Sequence, residues 1–151
     1  MIQLTDVWFR YRGAAEPALA EVSCHIRTGE MIGLLGASGS GRSTLASTLN
    51  GIIPHLVRGE LRGEVRVAGR ETRAIRPREL AGQIGLLFQD FEAQLFSTNV
   101  ALEVAFGPEN LGLARAEIVR RVDRCLEWVG LESLRGKLPA ALSGGQKQRL
   151  A

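Results

Sequence analysis

Cysteine is scarce: Cys24 and Cys125 are the only two in 151 residues, with neither close spacing nor a set of metal-ligand histidines to accompany them. That leaves a disulfide framework and a zinc site unsupported and fits a reducing compartment. No run approaches the roughly 18 apolar residues of a membrane helix, and the opening MIQLTDVWFRYR lacks the apolar core of a signal peptide. The chain is therefore expected in the cytosol. Lysine is nearly missing as well, since of 19 basic residues all but Lys137 and Lys147 are arginine. The net charge of +3 is a mild basic bias, too small to argue for nucleic acid as a partner. No N-K-x-D element occurs, which disfavours a GTPase. Arginines cluster between Arg58 and Arg78 but alternate with Glu60, Glu64, Glu71 and Glu79, the pattern of a solvated charged face.

What is present is a soluble globular composition, 45% hydrophobic and 23% charged, of single-domain size. IQLTDVWFRYR and VSCHI alternate apolar and polar residues over part of their length and read as strands of an antiparallel layer. MIGLLG, residues 31–36, and IGLLFQ, residues 84–89, are continuous apolar runs, as expected of strands buried on both faces. GEVRVAG, residues 63–69, reads as a strand closed by a glycine turn. STLASTLNGI predicts a helix stopped by Gly51 and Pro54, and beyond Gln89 the pattern turns helical. There TNVALEVAF is followed by residues 115–129, whose stripe is Ile118, Val122, Leu126 and Val129. Ser143 is placed to cap a last helix that starts at the glycines of LSGGQKQRLA.

Between the run at 31–36 and the first helix lies GASGSGRST: Gly36, Ala37, Ser38, Gly39, Ser40, Gly41, Arg42, Ser43 and Thr44. Glycines without a Cβ let successive N–H groups converge on one point, and the helix that follows adds its positive dipole end. The result predicts an anion nest for a nucleotide phosphate. Ser43 supplies the hydroxyl expected on Mg²⁺ and Thr44 one for a further phosphate oxygen. The motif G-x-x-x-x-G-K-[ST] fails at one position, where Arg42 replaces lysine. A guanidinium keeps the charge but is wider than an ammonium, so binding through the nest is expected to survive better than catalysis. Arg42 could equally be a neutral exchange in an arginine-rich chain.

LSGGQ, Leu142 to Gln146, follows this loop by about a hundred residues, and the pair resembles the nucleotide-binding subunit of an ATP-binding cassette (ABC) transporter. The resemblance implies an α/β fold: a P-loop NTPase-like core, with a mixed sheet and an antiparallel β layer, plus an ABC-type helical subdomain. It divides the chain into a core at 1–91 and 142–151 and a helical subdomain at 92–141. It implies ATP and Mg²⁺ as cofactors and a head-to-tail pair with a second ABC ATPase domain, identical or related. In that pair Ser143, Gly144, Gly145 and Gln146 of one domain meet the γ-phosphate held by the other. Tyr11 matches the aromatic that stacks on adenine, although Phe9 or Trp8 could exchange roles with it. Gln89 matches the glutamine that touches Mg²⁺ and relays the nucleotide state.

NGIIPHLVRGELRGEV and QDFEAQLFSTNVALEVAFGPENLG further resemble the ATPase of energy-coupling factor (ECF) transporters, importers of vitamins and metal ions. There the segment matching Gln94, Leu95 and Phe96 contacts a transmembrane coupling subunit, which implies a peripheral place on the cytoplasmic face of the membrane. Leu95 and Phe96 read equally well as a docking knob or as core. The family's Walker B aspartate, catalytic glutamate and switch histidine have no counterpart in these residues. The chain is thus expected to be a part of the family's domain that ends before the Walker B strand. By itself it should not turn over ATP, and it should be poorly soluble. A nucleotide-binding regulatory module without turnover, marked by Arg42, is the competing expectation.

Overall fold

The computed structural model describes all 151 residues, which form two compact units, Met1–Leu86 and Leu87–Ala151. The division falls before residue 91, and residues 142–151 belong to the helical unit rather than to the sheet-bearing one, unlike the partition expected from the motifs.

In the first unit, β1 (Ile2–Tyr11), β2 (Leu19–Ile26), β3 (Gly59–Val67) and β4 (Arg70–Glu71) form one sheet in the order β2-β1-β3-β4, every pairing antiparallel. Strict alternation in β1 would put Leu4 and Val7 on opposite faces. Both are buried, because a bulge at Asp6 (φ 49°) reverses the parity between them. The bulge is held from both sides. Ser23 Oγ accepts from Asp6 N at 2.8 Å and donates to its carboxylate at 3.0 Å. Across the sheet, Gly63 (φ 75°) leaves the space that a Cβ would take 2.3 Å from Asp6 O, and Arg73 donates to the Leu61 and Gly63 carbonyls. Leu4, Val7, Phe9, Leu19, Ile53 and Val65 make the core, with Leu45 and Leu49 of α1 (Arg42–Leu49) packed on it. Burying Phe9 alone is worth about 1.5–3 kcal/mol. After α1, Gly51 in the left-handed region starts the single turn α2 (Ile52–His55), and α3 (Pro77–Leu80) closes the unit.

The two continuous apolar runs are not strands. Residues 31–36 pair with nothing, and Met31 and Leu35 are 98% and 91% exposed. Residues 84–89 are likewise outside any ladder, with Leu87 and Phe88 exposed. The expected mixed sheet is therefore not formed, and the antiparallel layer stands by itself. The physical reason is that a strand takes its hydrogen bonds from neighbours, and no strand of the sheet pairs with either run.

The second unit is helical: α4 (Val100–Asn110), α5 (Arg115–Val129) and α6 (Gly144–Leu150). Asn99 caps α4 by accepting from Leu102 N at 2.9 Å, and Gly130 (φ 64°) ends α5. The apolar stripe of α5 packs Val122 and Leu126 against Val100, Ala105, Leu131 and Leu142. No helix is long and apolar enough to cross a membrane.

Candidate nucleotide site

The phosphate loop turns through Ser40 N donating to Ala37 O at 3.1 Å, with Gly39 (φ 80°) and Gly41 (φ 88°) both left-handed. A residue with a Cβ resists that conformation, and at Gly41 the Cβ would also lie 2.2 Å from Ala18 O. The last loop glycine is thus pressed onto the backbone at the head of β2. Gly41 is at the same time the N-cap of α1, and no side chain caps the helix there and no acidic residue occupies its first turn. Its orphan N–H groups and dipole remain open to an anion. Ser43 and Arg42 are exposed, and neither Arg42's guanidinium nor Ser43's hydroxyl has a partner. No cluster of acidic, histidine or cysteine ligands that could hold a metal ion is present, and the exposed Ser43 hydroxyl is an oxygen donor of the kind Mg²⁺ takes.

Thr44 is buried, and its Oγ1 lies 2.8 Å from the Tyr11 hydroxyl. That bond also separates the three aromatics of β1. Phe9 is fully buried and meets Tyr11 edge to face at 4.9 Å. Trp8 is covered by the guanidinium groups of Arg10 and Arg62, at 5.6 Å and 4.6 Å from its ring. Tyr11 is the aromatic that reaches the loop.

Beside Tyr11 opens a cleft of about 720 Å³ lined also by Arg12, Arg58, Gly59 and Glu60. Most arginines of this face are paired as the alternating charge pattern implies: Arg62 and Arg10 with Glu60, Arg66 with Glu64, Arg70 with Glu79. The hydrogen bond from Arg62, aided by Arg10, holds the Glu60 carboxyl below its usual range. Arg12 and Arg58 have no such partner and are brought side by side by Arg12 N donating to Arg58 O at 3.2 Å. Arg12 did not stand out in the sequence, and Arg58 did so only as the first arginine of the alternating charged run. Only the β1–β3 register, Tyr11 opposite Gly59, puts them at the same mouth.

In the second unit Leu142 is buried, and Ser143 caps α6 as expected, accepting from Gln146 N at 3.4 Å. Gln146 returns the bond, its Oε1 accepting from Ser143 N at 2.9 Å, which completes a capping box. Gly144 and Gly145 are exposed, lack positive φ, and have open space where a Cβ would be. The fold itself gives no reason for glycine there, and each costs about 0.5–1 kcal/mol relative to alanine within a helix. Gln89 is exposed and outside any strand. Gln94 accepts from Phe88 N at 2.9 Å, Leu95 is half-buried, and Phe96 is 63% exposed against Phe106 at 4.7 Å. Of the pair at 95–96, Phe96 is the more exposed.

Residues 19–151 match the family model described as ABC transporter. The chain belongs to the ABC transporter family. An ABC transporter ATP-binding protein of Caldanaerobacter subterraneus subsp. tengcongensis is 49% identical over 99% of this chain, and one of Pyrococcus horikoshii is 47% identical over all of it. The chain spans 26% and 53% of those two relatives. Among solved structures, CbiO1 of Clostridium perfringens, part of the ABC transporter complex CbiONQ, superposes with a TM-score of 0.82 at 33% identity. That match covers 99% of this chain and 58% of CbiO1. A dimeric ATP-binding cassette in a post-hydrolysis state, bound to ADP and Pi, gives 0.80 at 28% identity over 99% of this chain and 66% of its own. This ABC family member therefore has the α/β cassette fold of those structures, with the antiparallel sheet and helices in common.

Proposed function

We propose that this chain is the nucleotide-binding part of an ATPase that powers substrate import across a membrane. The observation that carries the reading is the open N-terminus of α1, uncapped and preceded by two left-handed glycines, with the Ser43 hydroxyl free beside it. The loop's backbone N–H groups bind the phosphates, and Arg42 adds a cation that is wider than a lysine ammonium. Ser43 Oγ would hold Mg²⁺, which when bound neutralises phosphate charge.

The nucleotide is sandwiched in a head-to-tail dimer with a second ABC ATPase domain, the same chain or a related one. The dimeric cassette with ADP and Pi supports this, and so do Gly144 and Gly145, whose unhindered N–H groups let a phosphate approach α6 closely. Similarity to CbiO1 supports an energy-coupling factor type importer, with Phe96 and its neighbours facing a membrane subunit at the cytoplasmic side.

The test is Mg²⁺-dependent binding of a labelled ATP analogue, with Ser43→Ala and Gly39→Ala beside the wild type. Saturable binding weakened in both variants supports the reading, whereas equal binding in all three removes it. A non-hydrolysing regulatory module is favoured only by Arg42. Turnover in the whole protein that rises greatly on Arg42→Lys would establish that second reading, and an unchanged rate would eliminate it.

A further inference from the structure

The hydrogen bond between Tyr11 and Thr44 joins the two ends of the proposed nucleotide site, and its chemistry goes beyond that of an aromatic platform. Thr44 stands in the first turn of α1, and its side chain is buried, so its hydroxyl has few partners to choose from. The Tyr11 hydroxyl at 2.8 Å is the one it has, and either oxygen can be the donor. A hydroxyl carries one proton and two acceptor positions, so the two groups can arrange themselves in two ways. If Thr44 donates to Tyr11, no Thr44 proton is left for a ligand. If Tyr11 donates to Thr44 Oγ1, the Thr44 proton is released to point elsewhere.

An anion at the start of α1 needs donors and repels lone pairs, so it selects the second arrangement. We infer that Tyr11 is a positioning residue for the phosphate end of the site: its hydroxyl donates to Thr44 Oγ1 and so turns the Thr44 proton toward a bound polyphosphate. This rests on the nucleotide-binding reading above and deepens it. Tyr11 then contributes twice, its ring beside the cleft and its hydroxyl through Thr44, and the two contributions are separable because phenylalanine keeps one and loses the other. The chained bonds polarise each other in the same direction, Tyr11 to Thr44 to phosphate oxygen.

The experiment uses Mg²⁺-tripolyphosphate, which has no base to stack, alongside ATP, with the protein as its cell makes it. Tyr11→Phe is expected to weaken tripolyphosphate and ATP by the same factor, about fivefold for one hydrogen bond. Thr44→Val should weaken both, and adding Tyr11→Phe to it should cost nothing more, while Thr44→Ser keeps the sensitivity to Tyr11→Phe. Phenylalanine retains the edge-to-face contact with Phe9, so the thermal midpoint of Tyr11→Phe checks that the fold is intact. Wild-type affinity of Tyr11→Phe for tripolyphosphate, or losses that multiply in the double variant, would overturn the inference while leaving ATP binding standing. Failure of the wild type to bind either ligand would overturn the nucleotide reading itself, and the positioning role with it.

Discussion

Gly39 and Gly41 share nearly the same backbone angle, φ 80° and 88°, yet face different surroundings. A Cβ at Gly39 meets nothing within 4 Å, whereas one at Gly41 lies 2.2 Å from Ala18 O and 3.1 Å from Leu19 Cδ2. Changing either to alanine brings the left-handed penalty, about 1–2 kcal/mol, partly offset by the stiffer unfolded chain. Those terms are common to both variants. Gly41→Ala adds an overpacking cost, about 1–3 kcal/mol, because a backbone carbonyl cannot swing aside as a side-chain tip can. That carbonyl belongs to the residue whose N–H donates to Phe9 O at 2.7 Å, so displacing it disturbs the start of the β1–β2 pairing. Urea unfolding followed by far-UV circular dichroism should therefore place Gly41→Ala about 1–3 kcal/mol below Gly39→Ala, with the binding of an ATP analogue weakened in both. Coincident unfolding curves for the two variants would refute the close approach of the loop to β2. The same contact makes Gly39→Ala the better loop variant for binding studies, since it changes the nest without pushing on the sheet.

Ala68 and Gly69 form the β3–β4 turn, both with positive φ (49° and 79°), a turn that suits asparagine better than alanine. Ala68→Asn is expected to stabilise by about 0.5–1 kcal/mol, read as a raised thermal midpoint. A lowered midpoint would contradict the turn geometry. Ser143→Asp should preserve α6, since aspartate caps as well as serine, but it replaces a hydroxyl that can still donate with an acceptor-only charge. Circular dichroism should be unchanged and ATP-dependent dimer formation lost, whereas Ser143→Ala should lose about 1 kcal/mol of helix capping. The carboxyls of Glu60, Glu64 and Glu117 are lowered by their arginine hydrogen bonds from a starting value of 4.5. A carboxyl whose folded pKa is depressed contributes stability above its unfolded value and loses it as pH falls through the folded one. Thermal midpoints should accordingly fall below pH 4.5, less steeply after Arg62→Ala, which removes the stronger of Glu60's two arginine partners.

Helix α5 was legible from its apolar stripe, because a helix makes its hydrogen bonds within itself and needs only one face to be covered. The runs 31–36 and 84–89 are equally apolar and misled for the converse reason: strand identity depends on neighbours that periodicity does not specify. The glycine spacing of the phosphate loop was legible, as was the serine cap of α6, since both are short-range backbone requirements. What lay beyond reach were consequences of register. Asp6 reverses the face of β1, so the side of each aromatic could not be counted off by alternation. Tyr11 meeting Thr44, and Arg12 meeting Arg58, follow from that offset pairing. Gly63 reads as a strand residue and is in fact the partner of the bulge.

The covering of Trp8 by Arg10 and Arg62 has a spectroscopic consequence. The chain has two tryptophans, one in each unit, and Trp128 is already 76% exposed in the folded protein. Its emission has little room to change on unfolding, whereas Trp8 exchanges a ceiling of guanidinium groups for water when the sheet comes apart. Intrinsic fluorescence thus follows the first unit almost alone, and ellipticity at the helix band follows mainly the second. Recorded together through one melt, the two signals show whether the sheet and the helices let go at a single temperature or in turn.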